Sequence, residues 1–135
     1  MPDGLGPMQR TDAGVLLIDD DFGVAQSFTE VLKLHDIPIA VARDEYEATA
    51  AFRWSPPAVV LTDIVVPERR DAAIAMRRAR PDLKLVAMSG GRVTKFDFLT
   101  IAKKSSADAI VHTPFAATEL IKLLRTFLHH RRRLS

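Results

Sequence analysis

The runs VLLI at 15–18 and AVVL at 58–61 have no polar residue on either face of an extended chain. Strands open to water on one side alternate apolar and polar side chains; strands covered on both sides do not. These two runs therefore demand a sheet sandwiched between other layers. The segments at 83–88 and 109–111 are similar, and 37–41 is a weaker fifth candidate. Each run gives way at its end to polar residues: Asp19, Asp20 and Asp21 after the first, Asp63 after the third, Ser89 and Gly90 after the fourth.

Helical spacing fills the gaps between the runs. Ala25, Phe28, Val31 and Leu32 share one face, with an Asp at 20 or 21 available as the cap. An Ala-rich stretch at 45–52 stops before Ser55-Pro56-Pro57, and a helix over about 68–79 ends at Pro81. A fourth is expected over 93–105, and Leu120, Ile121, Leu124, Phe127 and Leu128 form the clearest stripe, on the fifth. Five βα units predict a flavodoxin-like, doubly wound five-stranded parallel sheet, α/β in class, with five helices and strand order 2-1-3-4-5. The expected organisation is a flexible leader over 1–13, one domain over 14–128 and a basic tail over 129–135.

Composition removes several chemistries. With no cysteine there are no disulfides, thiolate metal sites or cysteine nucleophiles. No segment is as long and apolar as a membrane helix, and the opening residues lack the apolar run of a secretory signal. Cytoplasmic location is the expectation. The formal charge is only +2, and the arginines at 131–133 read as a solvated run. Neither nucleic acid nor membrane is an expected partner.

Order 2-1-3-4-5 reverses direction between the first and third strands, and ligands of such sheets bind beyond the strand ends at that point. Asp19, Asp20 and Asp63 therefore converge. Helix capping accounts for one aspartate, not for three arriving from two strands. Crowded carboxylates call for a positive partner, and a hard divalent ion with oxygen ligands, Mg2+, suits them. Ser89 and the glycines after it suit a phosphoryl group, which makes Asp63 a candidate phosphate acceptor.

The stretches VLLIDDD, VVLTDIVVP, VAMSGG and ADAIVHTPF, in this order and spacing, resemble the receiver domain of two-component response regulators over about residues 14–128. The resemblance implies that Asp63 takes a phosphoryl group from a histidine kinase or phosphotransfer protein. It implies Mg2+ held by Asp20, Asp63 and the backbone carbonyl of Val65, with Asp19 acting through water. Ser89 and Gly90 would contact the phosphoryl oxygens. The domain would act through protein contacts with a downstream partner, and any enzymatic activity would be limited to phosphotransfer and dephosphorylation at Asp63 itself. A homodimer would use helix four, strand five and helix five, near Phe96 and Phe98.

This chain also departs from the family. Thr113 stands at the lysine position, Ile110 at the switch-aromatic position, and ERRD replaces the glycine-containing loop after Pro67, about two residues shorter. Ala116 takes a helix-start position that Ser or Thr could cap. Arg69, Arg92 and Lys95 are the cations near enough in sequence to compensate for the lysine. The departures support a second reading, a receiver-like interaction module that does not switch by phosphorylation. A third, an aspartyl-phosphate phosphohydrolase, needs an acid two residues after the nucleophile, where Val65 stands. The partial calcium-loop pattern from Asp19 fails because Val24 occupies the turn-glycine position.

Overall fold

A computed structural model describes residues 14–89 and 95–134. The elements are β1 Val15–Ile18, α1 Phe22–Leu34, β2 Ile39–Ala42, α2 Glu45–Trp54, β3 Val59–Asp63, α3 Pro67–Ala79, β4 Lys84–Ser89, α4 Lys95–Lys104, β5 Ala109–His112 and α5 Ala117–Leu134. All five strands are parallel, in the order β2-β1-β3-β4-β5. The flavodoxin-like architecture expected from the apolar runs is the one observed.

The period of two along each strand sorts the core into two layers. Val15, Leu17, Val59, Leu61, Val86 and Met88 point to the face covered by α1 and α5, where they meet Phe28, Leu32, Leu120 and Leu124. Leu16, Ile18, Val60 and Leu85 point to the other face, against Ala48, Ala51, Ala73 and Met76 of α2 and α3. Alanines on those two helices let them sit close to the sheet. Farther along that face Ile64 and Ala87 pack on Phe98 and Ala102 of α4. The weak signal of β2 has a physical basis: it is an edge strand of small residues, IAVA, and Val41 on it is exposed.

Local chemistry fixes the helix starts. Asp21, not Asp20, caps α1, its Oδ1 accepting the Val24 N–H at 3.0 Å. Asp44 caps α2 by accepting from Glu47 N–H at 2.8 Å, and Glu47 accepts the Arg43 N–H in return. For α3 no side chain caps the end; Pro67 takes the first helical position, where a missing N–H costs nothing. The helix therefore starts directly after Val66, one residue earlier than expected.

The described part of α4 begins at Lys95, and residues 93 and 94 lie outside the described residues. At the other end α5 continues to Leu134, past the expected domain end at residue 128. Phe96 and Phe98 lie in different surroundings: Phe96 is 78% exposed and Phe98 is 1% exposed. Among the described residues no helix is long and apolar enough to cross a membrane.

Candidate functional site

β1 and β3 are neighbours in register, Ile18 beside Thr62, and one residue further along each stand Asp19 and Asp63. β4 joins on the far side of β3, with Met88 beside Asp63, and Ser89 beside His112 of β5. The sheet thus gathers the ends of four neighbouring elements at the switch point. Asp19, Asp63 and Ser89 are half-buried, and Asp20 is open to water. Gly90, the other expected phosphate contact, lies outside the described residues, as does Arg92.

Each acidic side chain has distinct local partners. Asp19 Oδ1 accepts the Asp21 N–H at 2.7 Å. Burial pushes the Asp19 carboxyl above its ordinary value, outweighing the lowering by that N–H and by Arg69; Asp20 and Asp21 add to the rise. Asp63 ends β3 and its Oδ1 accepts the Val65 N–H at 2.8 Å, which leaves the Asp63 side chain braced across the turn that carries the Val65 carbonyl.

Asp20 has a partner that local sequence pattern did not assign. Arg69, the third residue of α3, reaches across so that its Nη2 lies 3.2 Å from Asp20 Oδ2. The Arg69 side chain is only 12% exposed, whereas that of Asp20 is 70% exposed. The next residue, Arg70, donates from Nη1 to the Ile64 carbonyl at 3.0 Å and ties the first turn of α3 to the β3–α3 connection. A signal for both contacts was present in the sequence: a pair of arginines, Arg69 and Arg70, in the first turn opened by Pro67.

Thr113 does not fill the lysine's place. Its hydroxyl donates to the Ser89 carbonyl at 2.8 Å, and its backbone N–H donates to the same oxygen at 3.0 Å. The Thr113–Pro114 peptide bond is cis. Phe115 then stacks on Phe28 of α1, ring centroids 4.4 Å apart, which fastens the β5–α5 connection to the core. Ile110 is partly buried against the α4 layer.

The donor set fits a hard divalent ion in kind, since it offers oxygen atoms alone. Among the described residues, however, no three His, Cys, Asp or Glu side chains are gathered so as to hold a metal ion. The carboxylate of Asp20 is engaged by Arg69 instead.

A doubly wound domain with aspartates at the switch point and a hydroxyl on the adjacent strand end defines a class of phosphoryl-accepting signalling modules. The family model described as the response regulator receiver domain matches residues 15–125, and the chain belongs to that family. Domains of this family are generally phosphorylated by a kinase, bind Mg2+ at the phosphorylation site, and are not enzymes in the usual sense. A relative, the DNA-binding response regulator MtrA of Mycolicibacterium paratuberculosis, is 28% identical over 115 residues, covering 84% of this chain and 50% of that protein. The chain spans about half the length of the curated relatives it matches. A CheY-like receiver domain from Methanospirillum hungatei superposes with a TM-score of 0.77 at 20% identity, covering 90% of this chain and 97% of the other. The receiver domain of NtrX from Brucella abortus gives 0.74 at 22% identity, covering 85% and 98%. At these identities the solved structures speak for the fold.

Proposed function

We propose that Asp63 is the phosphoacceptor of this receiver domain and that a histidine kinase or phosphotransfer protein is the donor. An Asp63 carboxylate oxygen forms a bond to phosphorus while the donor's nitrogen–phosphorus bond breaks, giving an acyl phosphate on Asp63 and a free imidazole. The observation that carries this reading is the placement of Asp63 at the end of β3, one register step past the Ile18–Thr62 pair and level with Asp19.

Asp20, Asp63 and the carbonyl of Val65 are the groups that would hold Mg2+, with Asp19 supporting through water. The ion would supply charge that offsets the carboxylates and the arriving phosphoryl oxygens. The Ser89 hydroxyl is the donor for one of those oxygens, with Gly90 as its neighbour in the same role. The braces at Asp63 and Val65 keep the acceptor from wandering, so the chain's own contribution is positioning. Output passes through protein contacts on a face remote from Asp63, and the setting that suits such a relay is the cytoplasm. Exposed Phe96 and Leu99 on α4 make the α4–β5–α5 face the candidate for pairing two copies.

One observation favours a second reading, an interaction module that does not switch. Thr113 is uncharged and its hydroxyl is committed to the Ser89 carbonyl, so the charge the family's lysine brings to the phosphoryl group is missing at this position.

Incubation with a small acyl-phosphate donor and Mg2+ discriminates the two readings. The first expects the intact mass to rise by one phosphoryl group, lost on alkaline treatment and absent in Asp63→Asn. Phosphorylation that persists in Asp63→Asn, or none in the parent, overturns it.

A further inference from the structure

We propose that Arg69 is a built-in counter-cation of the acidic pocket, competing with a divalent ion for Asp20 and thereby setting how tightly that ion binds. The proposal rests on the reading of Asp20 as a metal ligand and adds the residue that opposes it.

Position on α3 argues that Arg69 is there for the pocket and not for its helix. The first turn of a helix carries partial positive charge, so a guanidinium at the third position is disfavoured by the dipole. Glu68 supplies the acidic residue that this turn prefers. Arg69 gains instead from Asp20, at 3.2 Å, on a different element. Its guanidinium stem is covered while the carboxylate it holds faces water. Asp20 is thus the half of the pair that an ion from solvent meets first.

The start of α3 makes this reach possible. Helix begins at Pro67, only three residues after β3 ends at Asp63, and Arg70 pins the turn through the Ile64 carbonyl at 3.0 Å. This carbonyl immediately precedes Val65, the expected carbonyl ligand, so the same turn fixes both the ligand-bearing connection and the competing cation. At the opposite side of the pocket Thr113 contributes no charge. A permanent positive charge on Arg69 therefore offsets part of the repulsion among Asp19, Asp20 and Asp21 before any ion arrives. A divalent ion that takes Asp20 either displaces that guanidinium or shares the carboxylate with it, and in both cases Mg2+ and Arg69 repel one another.

Titrating Mg2+ into chelator-treated protein by calorimetry, with amide shifts at Val65 and Ser89 followed in parallel, tests this. Arg69→Met keeps the covered stem and removes the charge. We expect it to tighten Mg2+ by up to about fivefold, the upper range for an exposed pair, and the gain to shrink as salt rises. Arg69→Lys keeps a charge and should stay close to the parent. Thermal melts of both variants verify folding, and Asp20→Asn identifies the site. Equal Asp20-dependent affinity in parent and Arg69→Met overturns the competition while leaving the metal site intact. Arg69→Lys binding as tightly as Arg69→Met also overturns it, since charge would not be the cause. Absence of Asp20-dependent binding in every variant overturns the metal reading itself, and the competition with it.

Discussion

Thr113 gives both of its hydrogen-bond donors, the hydroxyl at 2.8 Å and the backbone N–H at 3.0 Å, to the single carbonyl of Ser89. The residue at the lysine position thus serves to join the ends of β4 and β5. Replacing it exchanges one job for another. Thr113→Lys should cost about 1 kcal/mol in folding stability from the lost hydroxyl bond. It should also tighten beryllofluoride binding by about tenfold, because a charge-assisted bond to the phosphoryl oxygens contributes roughly 1.5–3 kcal/mol. Trp54 ends α2 just before β3 begins, at the pole opposite Asp63, so amide shifts at Ser89 and in β5 are the suitable readout. If the parent binds the mimic as tightly as the lysine variant and shifts as far, another group already supplies the charge.

A second pair joins the far end of the domain. Arg77 of α3 meets Asp108 at 2.9 and 3.3 Å in a two-pronged contact and also donates to the Ser106 carbonyl at 3.1 Å. Asp108 Oδ2 in addition accepts the N–H of Leu85, a fully buried residue, at 2.8 Å. Asp108→Ala would leave that N–H without its acceptor and should cost about 2–3 kcal/mol. Arg77→Ala keeps the Leu85 bond and should cost only about 1 kcal/mol, the pair being partly open to water. Asp108→Asn should fall between them. Urea denaturation of the three variants checks the order; an equal loss in all three would mean that the Leu85 bond contributes nothing.

How much of this was legible in the sequence depends on range. The sheet and its strand order were, because parallel strands covered on both faces leave continuous apolar runs that nothing else in the chain imitates. Asp63 and Asp19 were, because topology alone brings those strand ends together. The tie between Arg77 and Asp108 was not: it spans 31 residues, and neither residue stands out in its own segment. The choice between Asp20 and Asp21 as the α1 cap was open for a different reason. Either can reach from adjacent positions, and only the backbone turn at Asp21 decides it. Arg69 was visible as one of three candidate cations; its reach to Asp20 depends on α3 starting at Pro67 and on a side-chain rotamer that no pattern specifies.

The exposed α4 surface yields a simpler test. Phe96 is among the most exposed large apolar residues, while Phe98, two positions on, is in the core. If two copies pair through α4, β5 and α5, Phe96→Asp should abolish pairing with little effect on stability, because the ring has no core contacts to lose. Light scattering at high concentration, with and without beryllofluoride, measures this. A parent that stays monomeric in both conditions removes the homodimer.

The last prediction concerns Asp19 and pH. Burial is the main cause of the rise in its carboxyl above the ordinary 3.8. A carboxyl that holds its proton more tightly in the folded chain favours folding while protonated and opposes it once charged. That contribution is fully present below about pH 3.8 and is lost as pH rises through the higher folded value. At neutral pH the charged Asp19 therefore opposes folding. Asp19→Asn keeps the oxygen that accepts the Asp21 N–H and removes the charge, so in chelator at neutral pH it should be more stable than the parent. Partial exposure and solvent screening hold the gain to about 1 kcal/mol or less. Below pH 3.8 the two proteins should converge. Arg69 works against the rise, so in an Arg69→Met background the gain from Asp19→Asn should grow, a coupling that a double-mutant cycle reads directly. Guanidinium melts at several pH values, compared across the four proteins, supply the measurement. A gain that is constant with pH, or one that does not change when Arg69 is removed, would mean that the charge on Asp19 is not what opposes folding.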